Sequence, residues 1–252
     1  ADDFRVFQGG RVFVGQGSML DVNGQLVNFN NGVFDEGFFE VAGTLRAPGI
    51  TIQTISNELI LDGVGSQFVD ENGGDALAVL NYIAPDGILR LRNGRSLDNL
   101  EQLVVDGILE IDPGSGEHAE GPGGAQLSTV ADFVLNPGSQ LTMVMRGTGP
   151  GEGPMIEVGG DAMLGGGSGV GGVLDLVVGT PYTPKLGDEF LLIRASSVLG
   201  DFEGVQGLDL GNGLAFEVIM TSTTVSVRVV PTPGALGVLA IGGVMATRRR
   251  RR

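Results

Sequence analysis

A short acidic segment, Asp70-Glu71-Asn72-Gly73-Gly74-Asp75, carries residue types that suggest metal chemistry. Carboxylate and amide oxygens are the ligands that Ca²⁺ takes in protein loops. The segment lacks the ligand spacing of an EF-hand, and the chain has no Gly-Gly-x-Gly-x-Asp repeat. A solvated turn is therefore the favoured interpretation, with calcium at Asp70, Glu71 and Asp75 as the secondary one.

The single histidine, His118, lies between Glu117 and Glu120 in a Gly/Pro-rich segment. An imidazole beside carboxylates can titrate near neutral pH or bind a metal. A loop of this composition fixes no geometry, so a solvated histidine is the favoured interpretation. One histidine excludes most multi-histidine zinc sites, and the absence of cysteine excludes disulfides and thiol catalysis.

Three arginines, Arg90, Arg92 and Arg95, precede an acidic row of Glu110 and Asp112. If these lie on adjacent strands, the pattern predicts a cross-strand charge ladder on one outer surface, and an anionic polysaccharide is an alternative partner for the arginines. No acidic cluster can be assigned to lyase chemistry, and no glycosidase pair stands out among the many carboxylates. We therefore predict no catalytic residue and no metal ligand.

Composition narrows the function classes. The 252 residues allow one or two domains, and the formal charge of −15 becomes −20 without the terminal arginines. Such a surface repels nucleic acid and anionic lipid. Glycine is abundant, at 45 residues, but a hydrophobic content of 42% argues against a disordered Gly-rich chain. An aromatic content of 6%, with no tryptophan, disfavours sugar-stacking subsites.

The elements that would position these residues are short β-strands. The clearest pair of related segments is Asp86-Gly87-Ile88-Leu89-Arg90-Leu91 and Asp106-Gly107-Ile108-Leu109-Glu110-Ile111. Alternation places the leucines inside and the charges outside. One strand in about 20 residues fits a parallel β-solenoid, in which stacked coils make the core. The Gly-x-Leu pattern predicts an interior column of Leu26, Leu45, Leu89 and Leu109.

Other segments are less regular. Asp75–Tyr82 and Leu97–Val104 fit either a short helix or a strand, and three Gly-rich stretches, Pro113–Ala125, Gly147–Pro154 and Gly165–Gly172, are predicted loops. We assign residues 1–230 to the solenoid body, with a sub-boundary near 125–135 or 147–172, and residues 231–252 to a separate C-terminal segment.

The second half of the body contains longer alternating strands. We predict strands at Leu174–Val178, Glu189–Arg194, Leu214–Thr221 and Thr224–Val230, the last two forming an antiparallel hairpin that caps the stack. An all-β sandwich is the alternative. Three stretches resemble the ends of autotransporter-like β-helix passenger regions: Gly172-Val173-Leu174-Asp175-Leu176, Gly187-Asp188-Glu189-Phe190-Leu191-Leu192-Ile193 and Gly200-Asp201-Phe202-Glu203-Gly204-Val205. The resemblance covers about residues 132–230 and implies surface display rather than chemistry.

The C-terminal segment has three parts in a fixed order. Pro231, Thr232, Pro233 and Gly234 make a break, residues 235–246 are apolar, and Arg248, Arg249, Arg250, Arg251 and Arg252 end the chain. As a helix the apolar part would rise about 20 Å, short of the ~30 Å hydrocarbon core. The arginines favour a cytoplasmic end, which places the body outside. The membrane-facing side chains would be Ala235, Leu236, Val238, Leu239, Ala240, Ile241, Val244 and Met245.

This order resembles the PEP-CTERM sorting signal of bacterial exported proteins, with Thr232 where that motif has glutamate. The resemblance is confined to the C-terminal stretch from Val230 to Arg252. It implies recognition by an exosortase-type membrane protease-transpeptidase, transient anchoring in the inner membrane and cleavage near Pro231–Pro233.

The sequence as a whole predicts an all-β parallel solenoid with a C-terminal hairpin cap and a short transmembrane helix. Ala1-Asp2-Asp3 fits a mature end after signal cleavage, or the start of a fragment. We expect a non-enzymatic, exported structural or adhesive protein of the cell envelope or extracellular matrix, with exopolysaccharide as a further partner. A carbohydrate-active β-helix enzyme of lyase or glycosidase type is the alternative.

Overall fold

The computed structural model describes residues 3–114, 126–148, 152–165 and 169–232. Within these ranges the chain is all-β, with 25 strands and no helix. The strands wind as stacked coils, and each coil pairs in parallel with the next on three faces. This arrangement confirms the predicted all-β class and the mostly parallel stack.

The main face holds seven parallel strands in sequence order. Each strand pairs with the next without a break, from the outermost described strand at Arg11–Val14 to the strand at Val170–Val178. The strands are β1 (Arg11–Val14), β5 (Phe38–Val41), β8 (Glu58–Asp62), β11 (Ile88–Arg92), β14 (Ile108–Ile111), β17 (Gln140–Met145) and β20 (Val170–Val178).

The second face runs alongside the main face and joins it through its last strand, Ser197–Gln206. This strand pairs with the preceding strand of its own face and with β20 of the main face. At the other end a short antiparallel pair, β3 with β4, covers the edge. The strands are β3 (Phe29–Asn30), β4 (Val33–Phe34), β7 (Thr54–Ile55), β10 (Tyr82–Ile83), β13 (Leu103–Val105), β16 (Phe133–Leu135), β19 (Asp161–Leu164) and β22 (Ser197–Gln206).

The third face is divided into two sheets. The first contains β2 (Met19–Asp21), β6 (Thr44–Arg46) and β9 (Gln67–Val69). The second contains β12 (Leu97–Leu100), β15 (Leu127–Thr129), β18 (Ile156–Val158) and β21 (Glu189–Arg194), followed by β23 (Asp209–Gly211), β24 (Leu214–Met220) and β25 (Thr224–Pro231).

The predicted hairpin cap is confirmed. β24 and β25 pair antiparallel from Leu214 opposite Pro231 to Met220 opposite Val225. β25 also pairs antiparallel with β21, so it closes the third face. The sandwich alternative for the second half is wrong, because β20 and β21 continue the parallel stack on β17 and β18.

The interior column differs in part from the prediction. Leu89 and Leu109 are paired neighbours and fully buried, but Leu26 and Leu45 lie elsewhere. Leu26 forms a bridge with Phe4, and Leu45 lies on the third face. The observed column on the main face consists of Phe39, Leu59, Leu89, Leu109, Leu141 and Leu174.

Coil length explains the difference. One set of paired positions along the main face is Arg11, Phe38, Glu58, Ile88, Ile108, Gln140 and Val173. Only the steps from Phe38 to Glu58 and from Ile88 to Ile108 keep the predicted period, and the other steps are longer, so a uniform period is wrong. Inserted residues leave the coil at its corners and return to the same register, because a one-residue slip would turn the buried leucines outward.

One insertion, residues 70–81, separates the two sheets of the third face. The predicted helix or strand at Asp75–Tyr82 is instead a series of turns that leads into β10. Ala76, Leu77 and Leu80 are buried and close the core where the third face has no strand. The similarly ambiguous Leu97–Val104 resolves into β12 and the start of β13.

Gly87 and Gly107 lie at the corner where the second face turns into the main face. A Cβ on Gly107 would lie 2.2 Å from the Gly87 carbonyl oxygen and 2.3 Å from that of Ala84. A Cβ on Gly87 would lie 2.2 Å from the Ile55 carbonyl oxygen. The repeated Gly-x-Leu pattern thus has a steric cause here: successive backbones approach too closely for any side chain.

We predict that Gly107→Ala destabilises the body by about 2 kcal/mol or more, as expected when a packed backbone must shift. Gly65→Ala is the matched control, since a Cβ there meets nothing within 4 Å. Urea unfolding followed by circular dichroism measures both. Equal midpoints for the two variants would contradict the steric explanation.

Asp106, the first residue of the second Asp-Gly repeat, links three successive coils. One of its carboxylate oxygens accepts a hydrogen bond from the Tyr82 hydroxyl, and the other accepts from Asn136 Nδ2 at 2.5 Å.

The hydrogen bond to Asp106, assisted by burial, raises the pKa of Tyr82. Burial and then a hydrogen bond to Asp188 raise the pKa of Tyr182.

These are the chain's two tyrosines, and there is no tryptophan, so tyrosinate absorbance reports them alone. We predict that both ionise above the ordinary tyrosine pKa of about 10 in the folded protein. Their contribution to stability is full below pH ~10 and is lost as the pH rises through the folded pKa values. Asp106→Asn should return one of the two absorbance steps toward pH ~10. Two unchanged steps in that variant would contradict the assignment.

Candidate functional site

The outer surface of the main face carries several ion pairs that link neighbouring strands. Pairing places Arg90 opposite Glu110 on β14 and opposite Ile60 on β8, with Glu58 two residues before Ile60 on the same strand. We call the ion-paired residues Glu58, Arg90, Arg92 and Glu110 the charge ladder. The predicted cross-strand ladder is thereby confirmed for Arg90, Arg92 and Glu110.

Glu110 is the centre of the charge ladder. Its Oε1 accepts a hydrogen bond from Arg92 Nε at 2.7 Å, and its Oε2 accepts from Arg90 Nη1. Arg90 Nε also donates to Glu58 Oε1 at 3.1 Å. The Glu110 side chain is only 11% exposed, so the two guanidinium groups replace the water that its carboxylate oxygens lose at this depth.

Asp112 belongs to the same surface but has a different partner. Its two oxygens accept from Arg146 Nε at 2.8 Å and Arg146 Nη2 at 2.5 Å, a bidentate pair. Arg146 Nη1 donates in addition to the Thr180 carbonyl at 2.7 Å. The hydrogen-bonded carboxylate of Asp112 raises the pKa of the Arg146 guanidinium. Sequence reasoning missed this pair because its members are far apart in the chain and an insertion lies between them.

Arg95 does not line this surface, so that part of the prediction is wrong. The β11 strand ends at Arg92, and the chain turns through Asn93, whose φ is 51°, before Arg95. The Arg95 side chain is 15% exposed, and its Nη2 lies 3.7 Å from Asp75 Oδ2. Its Nη1 donates to the Ser96 carbonyl at 2.5 Å. It braces the 70–81 insertion against the next coil.

The carboxylates of the predicted oxygen-rich loop accept hydrogen bonds from backbone amides, both inside the loop and outside it. Asp70 Oδ1 accepts from the amides of Asn72 and Gly74 at 2.8 and 2.7 Å. Glu71 Oε2 accepts from the Gly49 amide at 2.6 Å, and Asp75 Oδ1 from the Leu77 amide at 2.9 Å. The three carboxylates therefore serve different turns. Among the described residues, no group of three His, Cys, Asp or Glu side chains could hold a metal ion.

Two shallow grooves flank the charge ladder. One, of 560 Å³, is lined by Asp62, Arg92, Glu110, Asp112 and Arg146. The other, of 730 Å³, is lined by Arg11, Glu36, Phe38, Glu58 and Asp86. In the second groove the Arg11 guanidinium lies 4.9 Å from the centre of the Phe38 ring. Both grooves present mixed hydrogen-bonding groups along the outside of the stack.

The tail motif is described only at its start. Pro231 is the last residue of β25, and the Thr232 amide donates to the Gly213 carbonyl at 2.8 Å. Pro233, Gly234, the predicted membrane segment and Arg248–Arg252 lie outside the described residues, as do His118, Glu117 and Glu120. Of the Gly-rich stretches, 115–125, 149–151 and 166–168 are also outside, whereas Gly171 and Gly172 belong to β20. The described part of the chain contains no helix with the length and apolar character to cross a membrane.

We predict that Glu110→Gln destabilises the folded body by about 3 kcal/mol, because Arg92 loses its ion-pair partner at a partly buried site and Arg90 keeps Glu58 alone. Glu189→Gln is the control: Glu189 pairs with Arg228 at 3.4 Å with 51% of its side chain exposed, so the loss should stay below about 1 kcal/mol. Urea unfolding of both variants is the measurement. Equal losses would show that the charge ladder is no more than a set of surface pairs.

Comparison with known proteins finds no family model that matches the chain and no curated protein that matches it.

Proposed function

We propose that this chain is an exported structural or adhesive protein of the cell surface or extracellular matrix, released from a transient membrane anchor by an exosortase-type enzyme. The observation that carries the proposal is the order of the last residues: a Pro-Thr-Pro motif, a short apolar segment and five arginines. The resemblance of this order to PEP-CTERM signals supplies the enzyme class.

The fold supports the structural part of the proposal. Exported proteins are often held by disulfides, but in this stack backbone pairing and a continuous apolar core join the described coils without cysteine. The folded body extends to the motif, so cleavage near Pro231–Pro233 would remove the tail and leave the stack complete.

The grooves beside the charge ladder support the adhesive part. Exopolysaccharide is the proposed partner, because its hydroxyl groups match the mixed donors and acceptors along the main face. The groove that contains Arg11 and Phe38 adds an apolar ring to these polar groups.

For the tail, we predict that protein recovered from the surface of its own cells ends near Pro231–Pro233 and lacks Arg248–Arg252. Intact-mass spectrometry of the surface fraction measures this directly. Deleting residues 233–252 should send the body to the culture medium without surface retention. An intact arginine terminus in the mature surface form would overturn the sorting proposal.

For adhesion, we predict binding of the body to matrix polysaccharide on a glycan array, with a loss of at least about tenfold in Phe38→Ala. Phe13→Ala is the matched control, since Phe13 is 68% exposed on the adjacent strand β1 and does not line the groove. Silence across the array would favour a purely structural role. Equal losses in the two variants would remove the groove from the proposal.

A further inference from the structure

The last strand of the cap contains the first residue of the proposed sorting motif. Pro231 lies opposite Leu214 at the end of the β24–β25 pairing. The Thr232 amide then donates to the Gly213 carbonyl at 2.8 Å. Pro231 and Thr232 are both half-buried. The motif therefore begins inside the folded cap and not in a linker beyond it.

β25 has fewer hydrogen-bonded neighbours toward the motif. Val229 is fully buried and bonded to the chain before β21: its amide donates to the Asp188 carbonyl at 2.8 Å, and its carbonyl accepts from the Gly187 amide at 2.9 Å. Beyond Val229, pairing continues with β24 and its preceding turn. The end of β25 can therefore open without disturbing the core beneath Val229.

Opening of this end matters for any enzyme that must bind the motif. An extended peptide is recognised through its own backbone groups, and these must be free to pair with the partner. The Thr232 amide is already engaged with Gly213, and the Pro231 backbone lies against Leu214. Cleavage of such a segment follows the population of its locally opened form.

We propose that the cap regulates removal of the tail: the Pro231–Leu214 pair and the Thr232–Gly213 hydrogen bond must open before the sorting enzyme can bind the motif. A folded cap then delays release from the membrane, whereas a chain with an unfolded cap is cleaved early. This inference rests on the proposed sorting function and adds a conformational step to it.

The test separates the motif from the cap without changing either. A Gly-Ser-Gly-Ser-Gly-Ser spacer inserted between Val230 and Pro231 takes the place of Pro231 opposite Leu214, the first residue of β24, and frees the motif. The control carries the same spacer between Asn72 and Gly73, in an exposed turn of the 70–81 insertion. Each full-length protein is incubated with membranes from the cells that produce it, and loss of the terminal arginines is followed by intact mass.

The spacer before Pro231 should raise the cleavage rate by about fivefold, the effect of removing one backbone hydrogen bond from the opening step. The control should match the unmodified chain. Equal rates in all three proteins would overturn the regulatory role and leave the sorting function standing. Absence of cleavage in all three would overturn the sorting function, and the inference with it. Hydrogen exchange gives an independent result: a Thr232 amide that exchanges as fast as in an unpaired peptide would overturn the inference.

Discussion

The whole body depends on in-register pairing between one coil and the next. A single coil cannot bury its own apolar side, so the core of the described stack forms by the stacking of successive coils, as Leu59, Leu89 and Leu109 illustrate. Side chains alternate between the inside and the outside, which makes register an all-or-none condition: a slip of one residue would expose the buried leucines. The corners add a steric requirement, since Gly107 lies so close to the Gly87 carbonyl oxygen of the preceding coil that no side chain fits between them.

The charge ladder acts on the same register from outside. Arg90 reaches Glu58 on one neighbouring strand and Glu110 on the other, and it can do so only when the three strands are aligned. Partly buried ion pairs add little net stability compared with apolar contacts, but an unpaired charge at this depth is strongly unfavourable. The ladder therefore disfavours wrong alignments more than it stabilises the right one. Arg146 and Asp112 extend this effect to β17.

The sequence predicted local features well because alternation is a local signal. The bounds of β21 and the β24–β25 hairpin follow from residues that are close in the chain. Coil length was not predictable in the same way, because insertions such as 70–81 change the spacing but not the register. That is why Leu26 and Leu45 do not belong to the predicted column and why the pairing of Asp112 with Arg146 does not follow from the sequence. The burial of Arg95 likewise depends on how the insertion folds back.

The cap resolves a problem that every parallel stack has at its end, namely an edge of unpaired backbone groups. β25 reverses the strand direction, and β24 and β23 then carry the sheet to a very short last strand. β23 has only three residues and an irregular register with β24, and its Asp209 side chain accepts from the Gly211 amide at 2.9 Å. An edge strand this short, with its Gly211 amide already hydrogen-bonded to Asp209, offers few free backbone groups for a further strand to pair with. Because β25 lies inside the sheet and not at this edge, the proposed tail follows directly on a paired strand.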